Sequence, residues 1–210
     1  VFINVTSDKC YENEDYIGEF KEKDRLGGCD PYSSSKAGSE LVTQAYRDSF
    51  FSGRESNFEG KSLASVRAGN VIGGGDWQVD RLIPDCIRSL ISKKPIDIRN
   101  PSSVRPWQHV LDPLCGYLIL ASKMSDEPGK YCEAWNFGPE DQSMMTVSKI
   151  TDLIINNWGD GSWENKFAEG APYEANTLKL DITKATNLLE WRPVWGIDKA
   201  VEATVEWYKY

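Results

Sequence analysis

An α/β protein with a mostly parallel sheet and a smaller α+β lobe is the fold class this sequence predicts. Apolar strand-like runs alternate with segments of helical periodicity, no internal repeat or low-complexity tract interrupts them, and the second half has more Trp and Pro and shorter elements. Val1 to Val5 reads as a buried strand ending at Thr6-Ser7-Asp8-Lys9, and the acidic, Gly-containing residues 12–30 read as a loop. Asp30-Pro31 marks a helix start, because Asp can cap and Pro is preorganised for the first turn. Ala37, Leu41, Val42, Ala45 and Tyr46 recur at helical spacing, so 32–51 is expected to be one amphipathic helix with that stripe as its apolar face.

Ser62 to Arg67 follows as a strand, and Gly69 to Asp76 as a turn-rich stretch. A second helix carries Ile83, Ile87, Leu90 and Ile91, a third spans Leu111 to Lys123, and Tyr131 to Phe137 is a strand. Thr146 caps a helix whose buried face is Val147, Ile150, Leu153 and Ile154. Leu178 to Leu180 is a short strand, Asp181 caps 182–190, and Val201, Thr204, Val205 and Tyr208 line a last helix.

Composition narrows the function classes. The 210 residues suffice for a sizeable core, since domains of this size hide roughly 70% of their unfolded surface. A net charge of −8 speaks against a nucleic-acid binder working by basic excess. The longest apolar candidate, Pro113 to Ala121, is interrupted by Gly116 and is too short to span a membrane. Five scattered cysteines without C-x-x-C spacing and a single histidine, His109, make no metal-ligand cluster, so no metal is expected. The thiols fit a reducing, cytoplasmic setting. The opening, with no Met and an apolar strand entered without preamble, suggests a chain cut from something longer.

Tyr32 and Lys36, four residues apart at the start of the first helix, share one face of it. A cation beside a phenol favours the phenolate, which can then take a proton from an alcohol. The spacing alone is common and equally fits an ordinary helix end. Its context is more specific: an apolar strand ending in Thr6-Ser7-Asp8-Lys9, then Pro31-Tyr32-Ser33-Ser34-Ser35-Lys36, then Arg67 to Trp77 with its Gly73-Gly74-Gly75 run, Asp80 to Pro84, Arg105 to Val110 and Asn136-Phe137-Gly138. Together these resemble the extended short-chain dehydrogenase/reductase family over essentially the whole chain. Within it, Asp8-Lys9-Cys10-Tyr11 and the downstream runs resemble the sugar-nucleotide 4,6-dehydratases, most closely those acting on CDP-glucose.

The resemblance implies the C-terminal part of a Rossmann-like doubly wound parallel sheet plus a smaller α+β substrate-binding lobe. Residues 1–76 would be the remaining part of the NAD-binding domain, and 77–210 mainly a sugar-nucleotide-binding lobe with segments returning to the first domain. The glycine-rich dinucleotide turn of such proteins is not seen at the front of the sequence. The cofactor implied is NAD, bound through Tyr32 and Lys36. The partners implied are CDP-glucose or a related sugar nucleotide, no nucleic acid, no membrane, and a second copy of the chain.

Ser7, Tyr32 and Lys36 would form the hydride-transfer triad, Asp8 the acid at C6 and Lys9 the base at C5. Asp8 needs burial to stay protonated, and Lys9 stands where related enzymes carry Glu, so it needs desolvation or a neighbouring cation to act as a base. Asn70, Arg81, Arg105 and Asn136 would bind the substrate, the arginines because a guanidinium suits diphosphate oxygens. Arg67 and Arg99 are weaker candidates for that part. His109 reads as a hydrogen-bonded structural or substrate-lining residue, the glycine run as a turn of close backbone approach, and Trp77 or Trp107 as sugar-pocket linings. An epimerase, a dehydratase for another nucleotide, and a non-catalytic sugar-nucleotide-binding fragment remain alternatives.

Overall fold

A computed structural model describes residues 1–13, 18–51, 60–166 and 178–210; the expected loop at 14–17 lies outside them. In chain order the elements are β1 (Phe2–Val5), a 3-10 turn (Asp8–Cys10), β2 (Glu19–Phe20), α1 (Pro31–Tyr46) continued by a wider π turn (Arg47–Phe51), β3 (Leu63–Ala68), β4 (Asn70–Ile72), α2 (Leu82–Ile91), β5 (Ile96–Ile98) and β6 (Val104–His109). Then come α3 (Leu111–Asp126), β7 (Ala134–Phe137), a 3-10 turn (Asp141–Ser143), β8 (Met144–Thr146), α4 (Val147–Trp158), β9 (Trp163–Asn165), β10 (Lys179–Leu180), a π turn (Ala185–Leu189) and α5 (Ile197–Lys209). They fall into two interleaved compact units.

The first unit comprises Val1–Gly69, Leu111–Gly138 and Leu178–Pro193. Its sheet runs β1-β3-β7, all parallel, with Val5 opposite Val66 and Val66 opposite Trp135. Parallel neighbours need crossovers, and α1 and α3 lie on them. The core holds Val66, Leu120, Met124, Trp135, Phe137, Leu189 and Trp191. Gly116, the break in the apolar run of α3, is required by this packing: a β-carbon there would meet the Phe137 ring at 2.3 Å.

The second unit comprises Asn70–Val110, Pro139–Thr177 and Val194–Tyr210. β4 pairs parallel with β6, β6 antiparallel with β8, and β5 parallel with β9. Ile87, Ile96, Ile98, Ile150, Ile154, Val201 and Val205 form its core. Thr146 caps α4 by accepting from the Lys149 N–H at 3.3 Å, and Gly159 ends that helix in the left-handed conformation.

Several expectations change. Val1 to Val5, expected as a buried strand, leaves Phe2 and Val5 exposed, and the expected turn from Gly69 to Asp76 contains β4. The loop expected over 12–30 contains β2, whose short pairing with β10 was invisible because two residues carry no periodicity. More consequential is the face of α1: the helix forms where its cap and Pro predict, but it buries Ser33, Ala37, Glu40 and Thr43. Leu41, Val42 and Tyr46 are exposed instead. The inverted face is tolerable because the buried polar groups are hydrogen-bonded: Asn4 Nδ2 donates to Ser39 Oγ at 3.0 Å and Thr43 Oγ1 at 2.7 Å, and Glu40 is fully engaged as described below.

Candidate active site

At the C-terminal end of β1 the chain turns sharply. Ser7, extended at φ −164°, caps the 3-10 turn, its Oγ accepting from the Lys9 N–H at 3.2 Å and donating to Asp8 Oδ1 at 3.0 Å. Ser7 and Asp8 are buried and Lys9 is half-buried. The following loop is brought back by a Tyr11–Leu26 bridge and by the Gly27 N–H, which donates to the Cys10 carbonyl at 2.9 Å. Gly28 then presses on the start of α1, where a β-carbon would meet Ser33 Cβ at 2.2 Å.

Asp30 caps α1, accepting from the N–H groups of Tyr32 at 2.9 Å and Ser33 at 3.0 Å. Hydrogen bonds from Ser33 and Tyr32, with the charge of Lys9, hold its carboxyl below the usual range. The charge of Lys9 thus reaches the start of α1, which packs on the 3-10 turn. Tyr32 is half exposed there, and Lys36 Nζ lies 5.7 Å from its ring centroid. The turn that carries Ser7, Asp8 and Lys9 and the helix that carries Tyr32 and Lys36 thus pack on each other within the first unit.

Beneath it lies a buried polar network. Glu40, on α1, accepts from the Thr6 hydroxyl, from Ser65 Oγ at 2.7 Å and from Arg67 Nη2 at 2.7 Å. Burial alone would raise its pKa, but Arg67, Thr6 and Ser65 together hold the carboxyl below its ordinary value. Burial likewise disfavours the Arg67 cation, yet Glu40 holds it above its ordinary pKa. Arg67 Nη1 donates to Tyr11 Oη at 2.7 Å, and Tyr11 Oη donates to Asn136 Oδ1 at 2.7 Å. Cys10, alongside, has its thiol pushed up to about 12, chiefly by burial, with Arg67 opposing and Glu40 and Asp8 adding.

Sequence reasoning missed this network. Its signal was available in the Glu four residues after Lys36 and in Asn4 and Thr6, polar residues in an otherwise apolar strand. Two of the candidate residues lie within it. Arg67, considered for a diphosphate, is buried against Glu40. Asn136, expected at the sugar nucleotide, has no exposed surface: its Nδ2 donates to the carbonyls of Phe20 at 2.8 Å and Asp181 at 3.3 Å, its Oδ1 accepts from Tyr11, and its backbone N–H donates to Glu22 at 3.0 Å.

Asn70, Arg81 and Arg105 lie in the second unit. Asn70 opens β4 opposite Trp107. Arg81 is exposed and paired with Asp76 at 3.1 Å, Arg99 with Asp80 at 3.1 Å, and the half-buried Arg105 donates to the Val104 carbonyl at 3.3 Å. His109 is buried and stacked on Trp195, with ring centroids 4.3 Å apart. Trp107, considered for the sugar pocket, is a core residue whose Nε1 donates to the Met145 carbonyl at 3.1 Å. Trp77 is half exposed and edge-on to Tyr208. Among the described residues no group of three or more His, Cys, Asp or Glu could hold a metal ion, and no helix is long and apolar enough to cross a membrane.

Comparison with known proteins places the chain. The chain is 48% identical over 207 residues to CDP-glucose 4,6-dehydratase of Salmonella typhimurium, covering 99% of this chain and 58% of that protein. It thus spans little more than half the length of that relative. Its fold is similar to that of dTDP-glucose 4,6-dehydratase from Bacillus anthracis in complex with NAD, with a TM-score of 0.79, 22% identity, and 99% and 61% of the two chains covered. A UDP-glucuronic acid 4-epimerase variant from Bacillus cereus, in complex with a UDP sugar and NAD, superimposes with a TM-score of 0.80 at 20% identity, again over 99% and 61%. The profile of the family described as GDP-mannose 4,6 dehydratase matches residues 1–204, nearly the entire chain, and the chain belongs to that family.

Proposed function

We propose that this chain carries the catalytic turn and helix of an NAD-dependent lyase that dehydrates CDP-glucose to CDP-4-keto-6-deoxyglucose. One observation carries the reading: the buried Ser7-Asp8 pair and Lys9 sit on a turn packed against the helix start that presents Tyr32 and Lys36. The 48% identity to the Salmonella enzyme supports CDP-glucose over other nucleotides.

The residues fit a nicotinamide nucleotide. Among the described residues no carboxylate pairs with Lys36, so its ammonium can hold ribose hydroxyls while the exposed Tyr32 flanks the ring. When bound, NAD supplies the hydride acceptor for C4 and the donor for C6. Tyr32 takes the proton of the C4 hydroxyl, and Ser7 hydrogen-bonds the same oxygen. The resulting ketone acidifies the C5 proton, which Lys9 removes. Asp8 gives its proton to the C6 hydroxyl, which leaves as water, and Lys9 returns a proton to C5. In the second unit, Arg105 and Arg81 hold the diphosphate and Asn70 the sugar nucleotide.

The exposed Leu41, Val42 and Tyr46 of α1 form the surface on which a second copy pairs. The enzyme works in the cytoplasm, in deoxysugar supply for surface polysaccharide. The test is incubation of the full-length protein with NAD and CDP-glucose, followed by mass analysis. Loss of one water without net NAD reduction is expected. Water loss only from another nucleoside diphosphate glucose overturns the nucleotide, and no water loss from any overturns the dehydratase.

A further inference from the structure

Lys36 and Glu40 stand four residues apart on α1, the spacing at which opposite charges on a helix pair. They do not pair. Both Glu40 oxygens turn inward, one accepting from Thr6, the other from Ser65 and Arg67. The Arg67 and Glu40 side chains are only 3% and 2% exposed, so their attraction is poorly screened. Lys36, left without a carboxylate, lies against Tyr32 instead.

We propose that Arg67 is a positioning residue that sequesters the Glu40 carboxylate, so that the charge of Lys36 is spent on Tyr32 and the bound nucleotide rather than on Glu40. The inference rests on the proposed roles of Tyr32 and Lys36. It explains why a buried arginine stands on the strand under α1, with its Nε making no hydrogen bond, when an apolar residue could fill the space. Arg67 is held from the far side by its bonds to Tyr11 Oη and the Glu22 carbonyl, so its guanidinium cannot follow Glu40 outward.

The charges of the pair can be separated by substitution. Glu40→Gln keeps the shape, and its amide can be satisfied: the Gln oxygen accepts from Ser65 and Arg67, while its NH₂ donates to Thr6 Oγ1, which already donates to the Val66 carbonyl at 3.2 Å. Arg67→Met releases a charged Glu40 toward Lys36. The double variant, Arg67→Met with Glu40→Gln, removes both charges.

The test measures kcat and KM for CDP-glucose, together with thermal unfolding, in the full-length protein. Arg67→Met should lose tenfold or more in kcat with KM within about twofold of wild type. Glu40→Gln and the double variant should stay within about threefold of wild type in kcat, whatever their unfolding temperatures. A purely structural anchor predicts otherwise, with kcat following stability in all three. Loss of tenfold in Glu40→Gln, or failure of the double variant to recover, overturns the proposal. If Arg67→Met does not fold, the other two variants decide by the same criterion. Should wild type fail to dehydrate CDP-glucose, or Tyr32→Phe keep full rate, the underlying functional reading falls instead, so the two failures are distinguishable.

Discussion

The indole of Trp207 lies so close to the backbone of Gly74 that a β-carbon there would meet the ring at 2.1 Å and Trp207 Cβ at 2.7 Å. This contact, within the second unit, accounts for much of the glycine run. Gly73 would strike Val110 at 2.7 Å, and Gly75 has a φ of +85°. The next residues are pinned as well: Tyr208 Oη donates to the Asp76 carbonyl at 2.5 Å, and Arg88 donates to the carbonyls of Trp77 at 2.8 Å and Gln78 at 3.0 Å. Gly74→Ala should therefore destabilise by about 1–3 kcal/mol, the usual range for overpacking. Rotating the indole does not relieve it, because Trp207 Cβ is also in the way. Denaturant unfolding measures the cost, and a neutral result would show that α5 can slide.

Asn136, buried and hydrogen-bonded on both sides of its amide, bears on stability. Asn136→Ala leaves the Phe20 and Asp181 carbonyls and the Tyr11 hydroxyl short of partners in a buried place. The expected cost is roughly 2–4 kcal/mol. KM for the sugar nucleotide in the full-length protein should change less than about twofold. A large rise in KM at unchanged stability would return Asn136 to the substrate.

What was legible in the sequence follows from which signals are local. Asp30-Pro31 announced α1 because a cap and a fixed φ act within one turn. Thr146 and the apolar positions of α4 and α5 were readable for the same reason, and the two helices do pack on each other. The buried side of α1 was not readable, because apolar spacing assigns Leu41, Val42 and Tyr46 inward. The helix instead buries polar groups whose partners come from β1 and β3, more than twenty residues away in sequence. Ser7, Asp8, Lys9, Tyr32 and Lys36 stood out as candidates because they form two short clusters. The buried partners of Arg67 and Asn136 were not readable, because a polar residue at a strand end looks the same in sequence whether it faces a ligand or other buried polar groups.

Glu22 offers a pH-dependent test. Burial raises its pKa, outweighing the opposing Asn136 N–H bond and the charges of Lys184 and Arg67. A carboxyl whose pKa is raised by folding binds its proton more tightly in the folded state. Stability therefore falls as pH rises from the ordinary carboxyl range through that raised value. Glu22→Gln keeps an oxygen for the Asn136 N–H and removes the buried charge. Its unfolding temperature should exceed that of wild type at pH 7 and match it at about pH 4. A variant less stable at pH 7 would mean that the charge itself is needed.

Tyr32→Phe keeps the ring beside Lys36 and removes only the hydroxyl. In the full-length protein it should lower kcat by about 10²–10⁴, the usual contribution of a positioned acid or base. NAD affinity, measured by calorimetry, should change little. Near-normal turnover would make Tyr32 an ordinary helix-start residue.

Asp8 and Lys9 are adjacent but differently placed, and their roles can be separated. Asp8 is buried, with Oδ1 accepting from Ser7, whereas Lys9 is half-buried with its N–H on Ser7 Oγ. Asp8→Asn keeps the Ser7 contact but has no proton to give at C6. Lys9→Met keeps the stem and removes the amine. Both variants should still oxidise C4, since Ser7, Tyr32 and Lys36 remain, and both should accumulate enzyme-bound NADH with little dehydrated sugar. Exchange of the C5 proton with solvent then tells them apart: it should persist in Asp8→Asn and vanish in Lys9→Met. Rapid quench in deuterated water with mass analysis of the recovered sugar reads this directly. If Lys9→Met exchanges C5 at the wild-type rate, Lys9 is not the base, and another group or a water takes that part.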